Sequence, residues 1–410
     1  MKTIQELAGK HFILGITGGV AAYKAADLCR RLQDIGATVQ VVMTPAACQF
    51  ITPLTLQALS GRRVMVYAWD KNDPIITNAM PHIESSRCAD AIIIAPATAD
   101  FMAKLVHGFG NDVLSNMCLA RNCQTVPLLV APAMNVEMWN NPATIRNIAQ
   151  LQTDGVAILG PAQGLQACGE TGTGRLLEVA DIVREVIAHF QPKLLQGKRV
   201  LITAGATFEA IDPVRGITNI SSGKMGYAVA QAAWEAGAQV LLVSGISSLP
   251  TPYGVKRIHA QTAYDMQVAV ETHSVHQDIF FSVAAVADWR AATVSEQKIK
   301  KVADKTTYTV EMVQNPDILM AIAASKRAQS GELYCVGFSA ETEHFDTHAQ
   351  AKRLKKGVPL LVSNDARQAM KSDDNALSLY DVHGVTHLPL QTKLSAARAL
   401  IAAVAQRLSQ

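Results

Sequence analysis

Two α/β domains, each a doubly wound and mainly parallel sheet, are predicted for this chain by three observations. Residues 11–44, "HFILGITGGVAAYKAADLCRRLQDIGATVQVVMT", read strand, glycine turn, helix, strand, and a connection of that length makes a right-handed parallel unit. The opening then returns, with "LQGKRVLITAGAT" echoing "LAGKHFILGITGG". Finally, 410 residues at 49% hydrophobic suffice for two cores of ordinary size.

In the first domain "HFILGIT" is a short apolar strand. "VAAYKAADLCRRLQDIG" has helical periodicity and a closing Gly36, and "ATVQVVMT" is the next strand. Further buried strands are expected at 91–97 ("AIIIAPA"), 127–133 ("PLLVAPA") and 156–162 ("VAILGPA"), with helices between them. Pro192 and its polar neighbours in "AHFQPKLLQGKR" break the helical pattern, which sets domains of 1–190 and 191–410. The second domain continues with a helix in "KMGYAVAQAAWEAG" and a strand in "AQVLLVSG". Later strands are expected at 279–286 ("IFFSVAAV") and 333–340 ("LYCVGFSA"). The stretch "EQKIKKVADKTTYTVEMV" reads as a basic loop running into an exposed strand, hence a β-ribbon excursion.

Composition excludes several classes of function. The net charge is only +3, with no basic block interleaved with aromatics, so no nucleic-acid partner is expected. The start "MKTIQELAGK" is polar, and no apolar run reaches membrane-spanning length, so neither a secretory signal nor a membrane partner is expected. Seven scattered cysteines without CxxC spacing fit a reducing cytoplasm, with neither a disulfide framework nor a zinc site.

The loop "GITGGVAAYK", with Gly18 and Gly19, sets backbone N–H groups at a helix start, which suits a phosphate. It is not GxGxxG, and Thr44 and Pro45 stand where an NAD ribose would need an acidic residue. A monophosphate cofactor such as FMN therefore fits better than NAD, although the glycine turn alone favours a ligand-free strand–helix turn. Ala97, Thr98 and Ala99 in "APATAD" are small residues at a strand's C-terminal end, where α/β sheets bind ligands. His82 precedes that strand, Asn135 ends another in "PAMNVEMW", and Cys168 lies in the glycine-rich "QGLQACGETGTGR". Taken singly, these read as a helix-start residue, a cap and a small buried residue.

Together, "PHIE", "APATAD", "PAMNVEMW" and "QACGETGTGR" resemble the flavin-dependent cysteine decarboxylases. Over nearly all 410 residues the chain resembles the bacterial bifunctional coenzyme A biosynthesis proteins, in which phosphopantothenoylcysteine decarboxylase is fused to phosphopantothenate–cysteine ligase. The resemblance implies two Rossmann-like domains, the N-terminal one a flavodoxin-like flavoprotein. It implies FMN held by Gly18, Gly19, Thr44, Ala97 and Thr98, and His82 beside the reacting cysteine as a base or proton-transfer group. Asn135 would hold the substrate carboxylate without neutralising it, and Cys168 would donate a proton from a closing flap. The cycle is redox-neutral, which agrees with the missing NAD fingerprint.

In the second domain "AGATFEAIDPVRGITNISSGKMGYAVA" is not a Walker loop. "SSGKMG" nevertheless puts small residues at a helix N-terminus, where a phosphate or an ordinary cap at Ser221 or Ser222 is equally readable. "AAVADWR", "KIKK", "NPDIL" (read as a proline-started helix), "VGFSAET" and "AKRLKKG" complete a nucleotide-shaped set, although a basic run is also an ordinary solvated face. By resemblance CTP is contacted by Ala284, Asp288, Lys298, Pro316, Asp317, Ile318, Leu319, Phe338, Lys352 and Lys356. Lys298 would help convert an acyl-cytidylate to amide, and Asn219 would hold that intermediate. Mg2+ would bridge the triphosphate, with protein ligands unassigned. The family's "AGPT" is "AGAT" here, with Ala206 for proline. "HSVH" and the His344/His348 pair lack a third ligand and read as surface histidines.

The resemblance further implies substrates of 4′-phosphopantothenate, cysteine and CTP. It also implies a homo-oligomer, a dodecamer with trimeric N-terminal and dimeric C-terminal contacts. A non-catalytic flavoprotein would be favoured by loss of His82 or Cys168, and both are present. A two-domain NAD oxidoreductase lacks both GxGxxG and an acidic ribose ligand.

Overall fold

The computed structural model describes residues 5–67, 81–300, 306–341, 345–365 and 372–409. The chain forms two compact units, Met1–Phe190 and Gln191–Gln410.

The first unit holds a five-stranded, wholly parallel sheet of β1 (His11–Ile16), β2 (Thr38–Met43), β3 (Ala91–Ala97), β4 (Leu128–Pro132) and β5 (Ala157–Ile158) in the order β2-β1-β3-β4-β5. That is the flavodoxin-like order, whose direction reverses between β1 and β3. The helices are α1 (Lys24–Asp34), α2 (Pro53–Ser60), α3 (Pro81–Cys88), α4 (Ala99–His107), α5 (Val113–Ala120), α6 (Val136–Asn140), α7 (Pro142–Thr153) and α8 (Val179–His189). Alternate strand residues serve the two faces. Ile13, Ile92, Ile94, Leu128 and Val130 pack with Phe101 of α4, Leu114 of α5 and Leu151 of α7. On the other face Phe12 lies 5.6 Å from the ring of Phe190, just past α8. The strand expected over 156–162 is only two residues long. Past Gly160 the chain leaves the sheet and forms an antiparallel ribbon, β6 (Ala162–Leu165) with β7 (Thr171–Arg175).

The second unit contains β8 (Arg199–Ala204), β9 (Phe208–Ala210), β10 (Gly216–Thr218), β11 (Gln239–Ser244), β12 (Lys256–His259), β13 (Ile279–Ser282), β14 (Trp289–Ala291), β15 (Met312–Gln314), β16 (Tyr334–Glu341), β17 (Leu360–Asp365), β18 (Asp374–Asp381) and β19 (Gly384–Thr392). Its main sheet runs β12-β11-β8-β13-β16-β17-β18-β19, parallel through β17 and antiparallel in the last two pairings. The parallel part has the Rossmann order, with its switch point between β8 and β13. The helices are α9 (Lys224–Glu235), α10 (Ala263–Ser274), α11 (Ile318–Ala323), α12 (Lys326–Gln329), α13 (Phe345–Lys356) and α14 (Lys393–Leu408). Val200, Ile202, Ile279 and Phe281 face a core with α9 and α14, while Leu201 and Phe280 face another with α10 and α11. The expected strand at 279–286 stops at Ser282, because the Thr203 hydroxyl captures the N–H groups of Val283 (3.1 Å) and Ala284 (3.3 Å) and turns the chain into a loop. The expected ribbon excursion is the antiparallel pair β14–β15.

Among the described residues no helix is long and apolar enough to cross a membrane.

Candidate functional site

In the first unit the C-terminal ends of β1, β3 and β4 lie side by side, and the chain fastens them together. The buried Thr17 hydroxyl donates to the Pro96 carbonyl at 2.7 Å and accepts from Thr98 N–H at 3.0 Å. Ala133 N–H donates to the Ala97 carbonyl at 2.9 Å. A Cβ on Gly18 would sit 2.6 Å from that of Ala46 and 2.9 Å from its backbone carbon, so this loop closes against the β2 loop only with glycine there. Gly19 is open, its nearest neighbour being the Thr98 methyl at 3.8 Å. The result is a small-residue cradle at the β1/β3 switch point, and it fits a flavin mononucleotide's phosphate and ring.

Not every predicted cofactor residue presents a side chain to this cradle. Ala97 is fully buried. Thr98 Oγ1 accepts from Phe101 N–H as the N-cap of α4. Thr44 is buried and accepts from Ala47 N–H at 3.2 Å. Ala97 and Thr44 are buried, whereas Thr98 is half-buried and its hydroxyl keeps an O–H to donate.

The β6–β7 ribbon docks on the loop after β4. Met134 N–H donates to the Gly174 carbonyl at 2.9 Å, and Val136 N–H to Gln166 Oε1 at 2.9 Å. Asn135 caps α6, its Oδ1 accepting from Met138 N–H at 2.9 Å, so its Nδ2 faces the ribbon and donates to Glu170 Oε2 at 3.3 Å. The Cys168 thiol donates to the same oxygen at 3.4 Å. The bland reading of Asn135 as a cap is therefore correct as far as it goes, and it also orients the amide. Cys168 is exposed on the ribbon rather than a small buried residue. His82 sits in α3, and its side chain lies outside the described residues.

In the second unit a cavity of about 700 Å3 opens at the β8/β13 switch point. That volume is within the usual range for small-molecule sites, about 300–1,000 Å3. It is lined by Asn219, Ala284, Asp288, Pro316, Asp317, Ile318, Leu319, Phe338, Lys352 and Lys356, so the sequence-predicted set converges with one exception. Lys298 is exposed and outside the lining. Its segment follows β14 and is tied to the β9–β10 turn, as Ile299 N–H donates to Asp212 Oδ2 at 3.1 Å.

The cavity wall from 283 to 288 is pinned from several sides. Thr207 Oγ1 accepts from Ala287 N–H at 3.0 Å, Asn219 Nδ2 donates to the Val286 carbonyl at 3.1 Å, and Asn315 Nδ2 donates to the Ala287 carbonyl at 2.8 Å. The expected proline-started helix at "NPDIL" begins later, at Ile318, because Asp317 is its N-cap and accepts from Met320 N–H at 3.0 Å. Asp317 also pairs with Lys356. In "SSGKMG" the N-cap is neither serine but Gly223, at φ +77, with no side-chain cap bond. Ala206 N–H donates to the Ile246 carbonyl at 3.4 Å, a weak bond and all that a proline there would forfeit.

Four lysines (224, 352, 356 and 393) and two aspartates (288 and 317) line the cavity, an excess of positive charge that suits a polyanion. Burial, reinforced by the Lys224 charge, lowers the Lys393 pKa. The Lys224 ammonium bonds Asp373 at 2.6 Å and holds its carboxyl below the usual range. Among the described residues no three His, Cys, Asp or Glu side chains gather as a metal site.

Comparison with known proteins bears on both units. Residues 2–191 match the family described as "Flavoprotein", and residues 195–408 match the "DNA/pantothenate metabolism flavoprotein C-terminal domain". The "Coenzyme A biosynthesis bifunctional protein CoaBC" of Vibrio vulnificus (strain YJ016) is 51% identical over 95% of this chain and 96% of its own length. The chain belongs to the bifunctional coenzyme A biosynthesis protein family. Other members are 48% identical in Escherichia coli (strain K12), over 95% of each chain, and 41% in Bacillus subtilis (strain 168), also over 95% of each. A solved C-terminal domain of a coenzyme A biosynthesis bifunctional protein is 37% identical, covering 53% of this chain and 98% of that one, with a TM-score of 0.45.

Within this family member, sequence reasoning passed over Thr17, Glu170, Asp212, Asn315 and Lys393. Thr17, Glu170, Asp212 and Asn315 lie in the motif strings "GITGG", "GETGTGR", "EAIDPVR" and "NPDIL" without an assigned role. Thr17, Asp212 and Lys393 bond partners distant in sequence, and no local pattern marks those bonds.

Proposed function

We propose that the chain performs two consecutive steps of coenzyme A biosynthesis. The second unit joins 4′-phosphopantothenate to cysteine with CTP, and the first decarboxylates 4′-phosphopantothenoylcysteine to 4′-phosphopantetheine. What carries this reading is the convergence of Asn219, Asp288, Pro316–Leu319, Phe338, Lys352 and Lys356 on one cationic cavity, in a chain matched end to end by relatives named for coenzyme A biosynthesis.

In the ligase the pantothenate carboxylate attacks the α-phosphate of CTP, pyrophosphate leaves, and an acyl-cytidylate remains. Lys352 and Lys356 stabilise charge on the phosphates. One N–H of the Asn219 amide is spent on the Val286 carbonyl, which leaves its second N–H and Oδ1 to hold the intermediate. Cysteine's amine then displaces CMP, with Lys298 assisting. Magnesium would arrive on the triphosphate, and no step is assigned to it.

FMN, when bound in the Gly18–Gly19 cradle, supplies oxidation of the cysteinyl thiol to a thioaldehyde and its later reversal. Asn135, oriented by its cap bond, holds the substrate carboxylate through Nδ2. Loss of CO2 leaves an enethiolate, to which Cys168 donates a proton, while His82 acts in proton transfer at the reacting cysteine. The ribbon that carries Cys168 acts as a flap that closes over bound substrate and excludes water.

The same reading makes the chain a cytoplasmic homo-oligomer, a dodecamer with trimeric N-terminal and dimeric C-terminal contacts, which light scattering of the purified protein tests. Its chemistry is tested by two variants of the full chain. His82→Asn is expected to abolish CO2 release while ligation continues, and Lys298→Gln to do the reverse. If either silences both reactions in a folded chain, the division of labour is wrong.

A further inference from the structure

One buried carboxylate grips the segment that carries Lys298. Between β9 and β10 the chain turns through residues 211–215, and Ile211 N–H donates to the Arg215 carbonyl at 2.8 Å. Asp212 Oδ1 accepts from the N–H groups of Val214 and Arg215, each at 2.8 Å. Its Oδ2 reaches the backbone N–H of Ile299 at 3.1 Å, a partner 87 residues away. The Arg215 guanidinium takes the other end of the same residue, donating to the Ile299 carbonyl at 2.5 Å, and pairs with Asp212 Oδ2 at 3.0 Å. Both backbone polar groups of the residue beside Lys298 are thus tied to a single ion pair. Ser295 N–H adds a bond to the Ile211 carbonyl at 3.0 Å.

Asp212 is 1% exposed, whereas Lys298 is exposed. Burial alone would raise the Asp212 pKa. The N–H groups of Val214, Ile299 and Arg215 and the Arg215 charge outweigh burial and hold it below the usual carboxylate range. The turn that anchors Ile299 continues as β10 into Asn219 on the cavity rim, and Thr218 Oγ1 bonds the Thr207 carbonyl at 2.7 Å on the way. One short ribbon therefore carries the anchor at one end and the cavity rim at the other.

We infer that Asp212 is a positioning residue for Lys298. With Arg215 it fixes the backbone of Ile299 and so sets where the lysine is presented. The inference rests on the ligase reading of Lys298 given above. In the step concerned, the cysteine nitrogen bonds to the acyl carbon and the bond from that carbon to the phosphate oxygen breaks. CMP departs with the electron pair and the amine releases a proton. A mispositioned ammonium leaves the negative charge developing on oxygen without its partner.

The test uses the full chain with 4′-phosphopantothenate, CTP and cysteine, and measures pyrophosphate, acyl-cytidylate and amide in one time course. Asp212→Asn is expected to slow amide formation at least about tenfold and to accumulate acyl-cytidylate, as Lys298→Gln does. Trypsin is expected to cut after Lys298 sooner in Asp212→Asn than in the parent. A parent-like amide rate in Asp212→Asn beside a defective Lys298→Gln overturns the inference. So does an equal fall of pyrophosphate and amide, which a purely structural role would give. A parent-like rate in Lys298→Gln overturns the ligase reading of that lysine instead. Should Asp212→Asn lose its thermal transition, Arg215→Lys, which removes the guanidinium bond to the Ile299 carbonyl and leaves residues 298 and 299 unchanged, is judged by the same outcomes.

Discussion

Gly174 stands at φ +138, and a Cβ on it would lie 2.6 Å from the Met134 carbonyl oxygen, a backbone atom that cannot move aside. Gly174→Ala therefore pushes the ribbon off the Asn135 loop, and CO2 release is expected to fall at least about tenfold while CTP-dependent ligation persists. In the other unit Lys356, paired with Asp317, is a cation at the end of the cavity. Lys356→Gln removes a charged hydrogen-bond donor of about 1.5–3 kcal/mol, so KM for CTP is expected to rise about 10- to 100-fold in steady-state assays. The strings around Asn135, Cys168, Asp288 and Phe338 were legible because the residue and its local context stand together in sequence. Asp212 was illegible because its partner at Ile299 lies 87 residues away and is a backbone N–H, which has no letter in the sequence.

The strands of the first sheet announced themselves as apolar runs, whereas the last two of the second sheet did not. β19 is mostly exposed and contains Pro389, so it carries little apolar signal, as edge strands generally do. β18 alternates buried and exposed residues, unlike the continuous runs of the parallel strands. This antiparallel end is held to α14 by Asp381, which accepts from Arg407 Nη2 at 2.6 Å and Nε at 2.9 Å and from His383 N–H at 2.7 Å. Burial pushes the Asp381 pKa up, but these donors prevail and depress it. A depressed carboxyl pKa stabilises the fold above the unfolded value, about 4, and that stabilisation is lost as pH falls through the folded value. Asp381→Asn is therefore expected to cost about 2 kcal/mol at neutral pH. The gap between its melting temperature and the parent's should close as pH drops below about 4. A gap that stays constant to acid pH would assign the loss to packing instead.

At the scale of the whole molecule, the repeated strand–glycine–helix opening foretold two units, and the two sheet orders put a ligand crevice at the switch point of each. The two crevices differ in kind. One is an uncharged cradle of small residues, and the other a lysine-lined cavity. That difference is the physical basis for assigning redox-assisted decarboxylation to one and phosphate activation to the other. Gly18→Ala tests it most directly, because the added methyl would sit 2.6 Å from the Ala46 Cβ in the proposed flavin cradle and alters nothing in the second unit. Visible absorption and CTP-dependent pyrophosphate release are followed on the same purified full-length protein. The expected result is loss of the yellow flavin band with pyrophosphate release maintained. Retention of a full flavin band, or loss of pyrophosphate release alongside it in a folded chain, would contradict the account.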